Sequence, residues 1–262
     1  MKFSGRTQML SDRYSVFEAL DILKDAGFDG VELCFEDMNF RLRPDLWDPG
    51  VAALIRGRCE KLGLAVSAVG NHISFLFDDF MFEAVKKCIR ATRLYGTDIL
   101  IISALHSQQE REAHPDIWQT AVSRVGELCK VAESEGVRLA LEPEPPSIVT
   151  STVDFLFLRD EVGSPALGIN LDVGHAFLTD PDLIESVGLL RGSILHGHIE
   201  DMRRERHQHL MPGDGEIDFR ALFAKLKEAG FGGYMSVDLY HARYEDIAGQ
   251  ALAALRSFRD GA

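Results

Sequence analysis

The chain has 262 residues, with 41 acidic against 28 basic side chains and a formal net charge of −13. At 46% hydrophobic, 26% charged and 9% aromatic, it carries enough apolar side chain for a sizeable core, which excludes a disordered chain. The acidic excess argues against nucleic acid, whose phosphates are held by Lys and Arg, and no run reaches the ~18 apolar residues of a membrane span.

Met1-Lys2-Phe3-Ser4-Gly5-Arg6 has no long apolar stretch behind its basic head, so no secretory signal is expected. Cys34, Cys59, Cys88 and Cys129 stand far apart without a CxxC pair. They read as buried reduced thiols of a cytoplasmic protein.

A short opening strand is expected near Lys2–Ser4. Ser15 and Glu18 then form an S-x-x-E capping box, with Val16, Leu20 and Leu23 on one helical face and Gly27 placed to stop the helix. The strand Gly30–Phe35 follows. The same grammar recurs: a helix over 48–62 ends at Gly63 before the strand 64–69, and one over 79–95 ends at Gly96 before 98–102. A longer helix over 115–135 aligns Ile117, Ala121, Val125, Leu128 and Ala132, then stops at Gly136 before the strand 137–141. Later strands read 167–171, 193–197 and 233–237, which makes eight.

Ile99–Ile102 is apolar at every position, as in a parallel sheet covered on both faces. Eight strand–helix units in 262 residues predict an α/β fold, a single (β/α)8 TIM barrel spanning 1–262. A doubly wound open sheet is the alternative, but no G-x-G-x-x-G follows the first strand and no Walker loop occurs.

Parallel barrels build their active sites at the C-terminal ends of strands. Glu142, Asp172, His198 and Asp238 end four successive strands, and adjacent strands lie ~5 Å apart. Three clustered carboxylates would repel one another and be driven to protonate, a conflict that a divalent cation removes. The mixed oxygen and nitrogen set suits one Mn2+, Mg2+, Zn2+ or Co2+ ion. Taken singly, an Asp or Glu after a strand is more often a helix N-cap or a solvated loop residue. His196, two residues before His198, reads equally well as a packed histidine. Arg203, Arg204 and Arg206 form the one local basic run, and a solvated loop accounts for it equally well.

Leu141-Glu142-Pro143, Ile169–His175, His196–Asp201 and Pro212–Phe219 resemble the signature segments of the xylose-isomerase-like TIM-barrel superfamily, and Gly27–Leu33 resembles its second strand. That superfamily includes sugar isomerases, ketose 3-epimerases, keto-polyol dehydratases, C-glycoside-cleaving subunits and an apurinic-site endonuclease. The resemblance implies Glu142, Asp172, His198 and Asp238 as metal ligands, with His175 and Arg204 holding the substrate's oxygens. Glu32 and His72 are further candidates for polar substrate contacts. Two positions depart from the epimerase pattern: Asp238 replaces the commoner Glu, and Ile148 stands where the 3-epimerases carry a second acidic residue.

The expected activity is a metal-dependent isomerase or epimerase of a sugar or keto-polyol. Glu142 or Asp238 would take the proton α to a carbonyl, giving a metal-stabilised enediolate. A lyase on the same residues is the alternative, and a non-catalytic binding protein a third. The expected partner is a small sugar or polyol, with no nucleic acid and no membrane; a homo-oligomer is left open. Phe75–Phe77 and Phe80–Phe82 after the third strand read as core packing, with an apolar lid as the minority reading.

Overall fold

The computed structural model describes residues 1–145, 147–240 and 243–262. Eight parallel strands close into one barrel: β1 (Lys2–Arg6), β2 (Gly30–Cys34), β3 (Ala65–Asn71), β4 (Ile99–Ser103), β5 (Arg138–Glu142), β6 (Leu167–Asp172), β7 (Ile194–Ile199) and β10 (Tyr234–Val237). Each pairs with its neighbours in chain order, and β1 closes the circle on β10 with Phe3 opposite Met235. The expected (β/α)8 barrel is therefore the fold.

The helices that follow the strands form the outer layer. α1 (Val16–Asp25) starts with the expected capping box: the Ser15 side chain accepts from Glu18 N, and Glu18 accepts from Ser15 N. α2 (Pro49–Leu62) and α5 (Ile117–Glu135) stop at Gly63 and Gly136, whose φ of 66° and 64° favours a residue without Cβ. α3 (Asp79–Thr92) ends earlier than the sequence pattern suggests, because Arg93–Tyr95 tightens into a 3-10 turn before Gly96. The remaining helices are α4 (Gln108–Ala113), α6 (Thr152–Val162), α7 (Val173–Thr179), α8 (Leu183–Leu189), α9 (Phe219–Glu228) and α10 (Tyr244–Asp260). Among the described residues no helix is long and apolar enough to cross a membrane.

The core lies in two layers, as the alternation of side chains along a strand requires. Leu100 and Ile102 of β4 join the large cluster beneath the helices, whereas Ile99 and Ile101 pack with Ala68, Ala140 and Leu195 inside the barrel. The interior also holds polar groups. Ser4, Ser67, Ser236, His196 and Asn170 are buried there and hydrogen-bond to one another in a chain. The phenylalanine-rich segment after β3 divides: Phe75 and Phe82 are buried as expected, and Phe80 is 73% exposed.

One element has no counterpart in the sequence reading. After β7 the chain forms a short antiparallel hairpin, β8 (Asp201–Arg203) and β9 (Arg206–Leu210). The turn from Pro212 to Phe219 is tied to it by a single carboxylate. Asp201 accepts from the backbone N–H of Met202, Gly213, Gly215 and Ile217 at 2.8, 2.8, 2.9 and 3.2 Å. A Cβ on Gly215 would lie 2.2 Å from Asp201 Oδ1, so glycine allows this close approach. Asp201→Ala removes the acceptor from four backbone donors, two of them buried, and is expected to cost about 2–3 kcal/mol, measurable as a lower urea midpoint. An unchanged midpoint would refute this account of the turn.

Candidate metal centre

Glu142 ends β5, Asp172 ends β6, His198 lies in β7, and Asp238 follows β10 directly. All four are buried, at 3%, 2%, 0% and 2% exposure. They converge on the His198 ring. Its Nδ1 lies 3.2 Å from Glu142 Oε2 and 3.8 Å from both Asp172 Oδ2 and Asp238 Oδ2.

The free donor atoms are of the kind that a cation would satisfy. His198 Nδ1, Asp172 Oδ2 and Asp238 Oδ1 are buried and have no hydrogen-bond partner. Buried polar atoms are normally satisfied, so three such atoms on converging residues need a ligand. Donors that each sit about 2.1 Å from one ion are separated by about 3–3.5 Å, close to the spacing seen here. His198 Nε2 lies 2.9 Å from Glu32 Oε2, an acceptor for the ring proton on that side when Nδ1 binds a cation. Asp172 Oδ1 caps α7 by accepting from His175 N at 2.7 Å, as one reading of the sequence expects, and Oδ2 has no hydrogen-bond partner. Glu142, Asp172 and His198 place donor atoms within 4.8 Å of one another and fit a divalent cation, with Asp238 beside His198 as the further candidate ligand.

A buried polar frame holds this set. Asn170 Nδ2 donates to Glu142 Oε2 at 2.7 Å, and His196 Nδ1 holds the Asn170 carbonyl at 2.9 Å. His196 is thus a packed support; burial pushes it down to about 3, so it is neutral. His72 spans two carboxylates, with Nε2 3.2 Å from Glu142 Oε2 and Nδ1 2.8 Å from Glu36 Oε1. Burial opposes its charge, but the hydrogen bonds to Glu142 and Glu36 prevail and push it up to about 10.

Arg6 is the strongest local charge. It is 1% exposed, donates from Nε to Glu32 Oε1 at 2.9 Å and lies 2.6 Å from Asp238 Oδ2 through Nη1. Burial alone would raise Glu32 and Asp238, yet the guanidinium and His198 hold both below the usual carboxylate range, with His209 also acting on Asp238. Glu144 lacks such a partner: burial, and then the charge of Glu142, push it up to about 7.

Above the cluster opens a pocket of about 220 Å³ lined by Arg6, Phe40, His72, Glu142, Glu144, His175, His207, His209, Asp238 and Tyr240. Phe40 holds a positive φ of 55°, a strained conformation for a phenylalanine, at this rim.

Most of the residues expected from sequence meet here. Glu142, Asp172 and Asp238 lie around His198, Glu32 and His72 hydrogen-bond to that group, and His175 lines the pocket with Nδ1 3.5 Å from Glu142 Oε1. Arg204 is not brought to the pocket. Its guanidinium donates to the Asp180 and Pro181 carbonyls at 3.0 and 3.3 Å and lies over the Phe177 ring, so it clamps the chain after α7. Sequence reasoning missed Arg6, Glu36 and Tyr240, and did not assign Glu144 or Glu200. Arg6 was legible by the strand-end rule, but the first strand was read as ending at Ser4, two residues short.

Fold and site together define a (β/α)8 barrel with a candidate metal centre at the C-terminal ends of its strands. The chain belongs to the xylose isomerase-like TIM-barrel family, whose model matches residues 20–259. It is 29% identical over 259 residues to a fructoselysine 3-epimerase of Escherichia coli O157:H7, covering 94% of each chain. It is 23% identical over 138 residues to an inosose dehydratase of Clostridium perfringens, covering 46% of each. Among solved structures, the IOLI protein with a bound zinc atom superposes with a TM-score of 0.80 at 20% identity, covering 98% of this chain and 96% of that one.

Arg6→Ala strands Glu32 and Asp238 without their buried cation and should lower the stability of the metal-free protein by about 3–5 kcal/mol. Urea unfolding in EDTA measures the loss, and one below about 1 kcal/mol contradicts the role given to Arg6.

Proposed function

We propose that the protein is a divalent-metal-dependent isomerase or epimerase acting on a sugar or keto-polyol through removal of a proton α to a carbonyl. The observation that carries this reading is the convergence of Glu142, Asp172, His198 and Asp238, with unpartnered donor atoms, beneath a pocket of about 220 Å³. When bound, Mn2+, Mg2+, Zn2+ or Co2+ supplies Lewis-acid polarisation of a substrate carbonyl. The relationship to a fructoselysine 3-epimerase over nearly the whole chain supports the choice of reaction class.

Glu142 is the group that takes the proton. Its Oε2 is fixed by Asn170 and His72, while Oε1 faces the pocket side, 3.5 Å from His175 Nδ1. Asp238 faces the same space but is tied to Arg6 through Oδ2, which makes it the less available base. His175 and His209 orient substrate oxygens from the mouth, the place first given to Arg204. Phe40 and Tyr240 narrow the entrance and exclude water from the reacting carbons.

A lyase shares the first proton transfer, and one observation favours it as the second reading. Glu144 lines the pocket two residues from Glu142, where a second carboxyl can donate to a departing hydroxyl. The partial match to an inosose dehydratase points the same way.

Glu142→Gln should lower kcat by about 10²–10⁴-fold in metal-replete buffer while leaving circular dichroism unchanged, and wild-type turnover in that variant would refute the base assignment. Turnover should stop on complete metal removal and return with the ion; activity that survives removal excludes the metal. Incubating candidate ketoses in D2O distinguishes the two readings. An isomerase or epimerase exchanges deuterium and equilibrates isomers, whereas a lyase accumulates an unsaturated or fragmented product.

A further inference from the structure

Phe40 stands at the pocket rim in a conformation that its residue type avoids. A phenylalanine at a φ of 55° crowds its Cβ against the backbone carbonyl, and among the described residues no other non-glycine residue has a positive φ. Asn39, one position earlier, is of a type that tolerates this region far better. Burial does not account for the strain. The residue is 47% exposed, and among the described residues its ring pairs with no other aromatic ring.

The turn that imposes the strain is held from several sides. The Asp37 carboxylate accepts from the backbone N–H of Asn39 and Arg41 at 2.8 and 3.1 Å through Oδ1, and from Arg41 Nε at 2.8 Å through Oδ2. Phe40 N donates to the Asp37 carbonyl at 2.9 Å, and Asp37 N to the Arg41 carbonyl at 3.0 Å. From outside the turn, Ser11 Oγ accepts from Met38 N at 2.9 Å, and the buried Gln8 amide donates to the Asp37 carbonyl at 3.3 Å. Glu36, whose carboxylate holds His72, bridges to Leu42 at the base of the turn. The ring is thereby set at a fixed place on the pocket that Glu142 and Asp238 also line. Strain of this kind persists only where the surroundings impose it, and it collects at ligand clamps.

We infer that Phe40 is a specificity-determining residue, a fixed aromatic surface on which the carbon chain of the substrate lies when its reacting end is among the carboxylates. The inference rests on the pocket being the substrate site, as proposed above. A sugar or polyol presents C–H groups between its hydroxyls, and covering them with an aromatic ring removes apolar surface from water. The pocket offers little other surface of that kind. Apart from Tyr240, its remaining described lining residues are charged groups and histidines, which serve hydroxyl and carbonyl oxygens instead. Only a ligand long enough to reach from the carboxylates to the rim meets the ring. Chains of pentose or hexose length gain from it, and glycerol-sized ligands do not. A ring that only shut water out would act on turnover, whereas a ring that holds the chain acts on binding.

The test titrates sorbitol, a non-reacting hexitol, and glycerol into the full chain in Mg2+ buffer, with binding read by ligand-detected NMR. Phe40→Gly should raise the Kd for sorbitol about tenfold and leave that for glycerol unchanged. Phe40→Tyr, which keeps an aromatic face, should bind sorbitol as wild type does. Because glycine relieves the positive φ, the urea midpoint of Phe40→Gly should be no lower than that of wild type. Equal sorbitol affinity in wild type and Phe40→Gly overturns the inference, as does a wild type that binds no sorbitol or a Phe40→Tyr as weak as Phe40→Gly. A midpoint that falls together with the affinity also overturns it, since the ring then serves packing. With a ketose that is turned over, the loss in Phe40→Gly should appear in KM; a fall in kcat alone overturns the inference in favour of a lid. If Phe40→Gly loses sorbitol while no ketose exchanges deuterium in D2O, the isomerase reading fails and the role of the ring stands.

Discussion

Carboxylates repel one another, and the repulsion strengthens as water is removed around them. Glu32, Glu142, Asp172 and Asp238 are each no more than 3% exposed and gather at one end of the barrel. Among the described residues that line the pocket above them, Arg6 is the only arginine or lysine. It reaches Glu32 and Asp238 but not Glu142 or Asp172, whose charges fall on the side of His198 and His175. The unpartnered Nδ1 of His198 and Oδ2 of Asp172 lie where that compensation is incomplete. A cation at this point balances the charge and satisfies the orphaned atoms together.

The fold produces this concentration without special local structure. A parallel barrel sends every strand in one direction, so residues far apart in sequence arrive side by side. Asp172 stands opposite His198 in the β6–β7 register, and Arg6 stands opposite Glu32 between β1 and β2. The interior below is polar, and its serines, Asn170 and His196 form a continuous hydrogen-bonded support. Side chains held in this way keep their geometry when the substrate changes, which is what α-proton transfer between fixed groups requires.

Much of the architecture was legible because it is periodic. Capping boxes, stop glycines and runs such as Ile99–Ile102 follow from backbone geometry and burial, and they marked eight units in order. The strand-end rule then located Glu142, Asp172, His198 and Asp238. What escaped depended on features without a period. The hairpin holding His207 and His209 is short and polar, so it lacks the apolar alternation of a half-buried strand. Arg6 was hidden by a strand boundary set two residues early, at the least reliable point of any such reading. Arg204, whose place in a motif suggested a substrate contact, donates here to the carbonyls of Asp180 and Pro181, a local contact that the sequence pattern does not show.

Anomalous diffraction from a crystal of the protein grown with Mn2+ or Zn2+ tests the central claim most directly. The account predicts a peak bounded by Glu142, Asp172, His198 and Asp238, with His198 bound through Nδ1. A crystal saturated with the ion that shows no density at that point would contradict it.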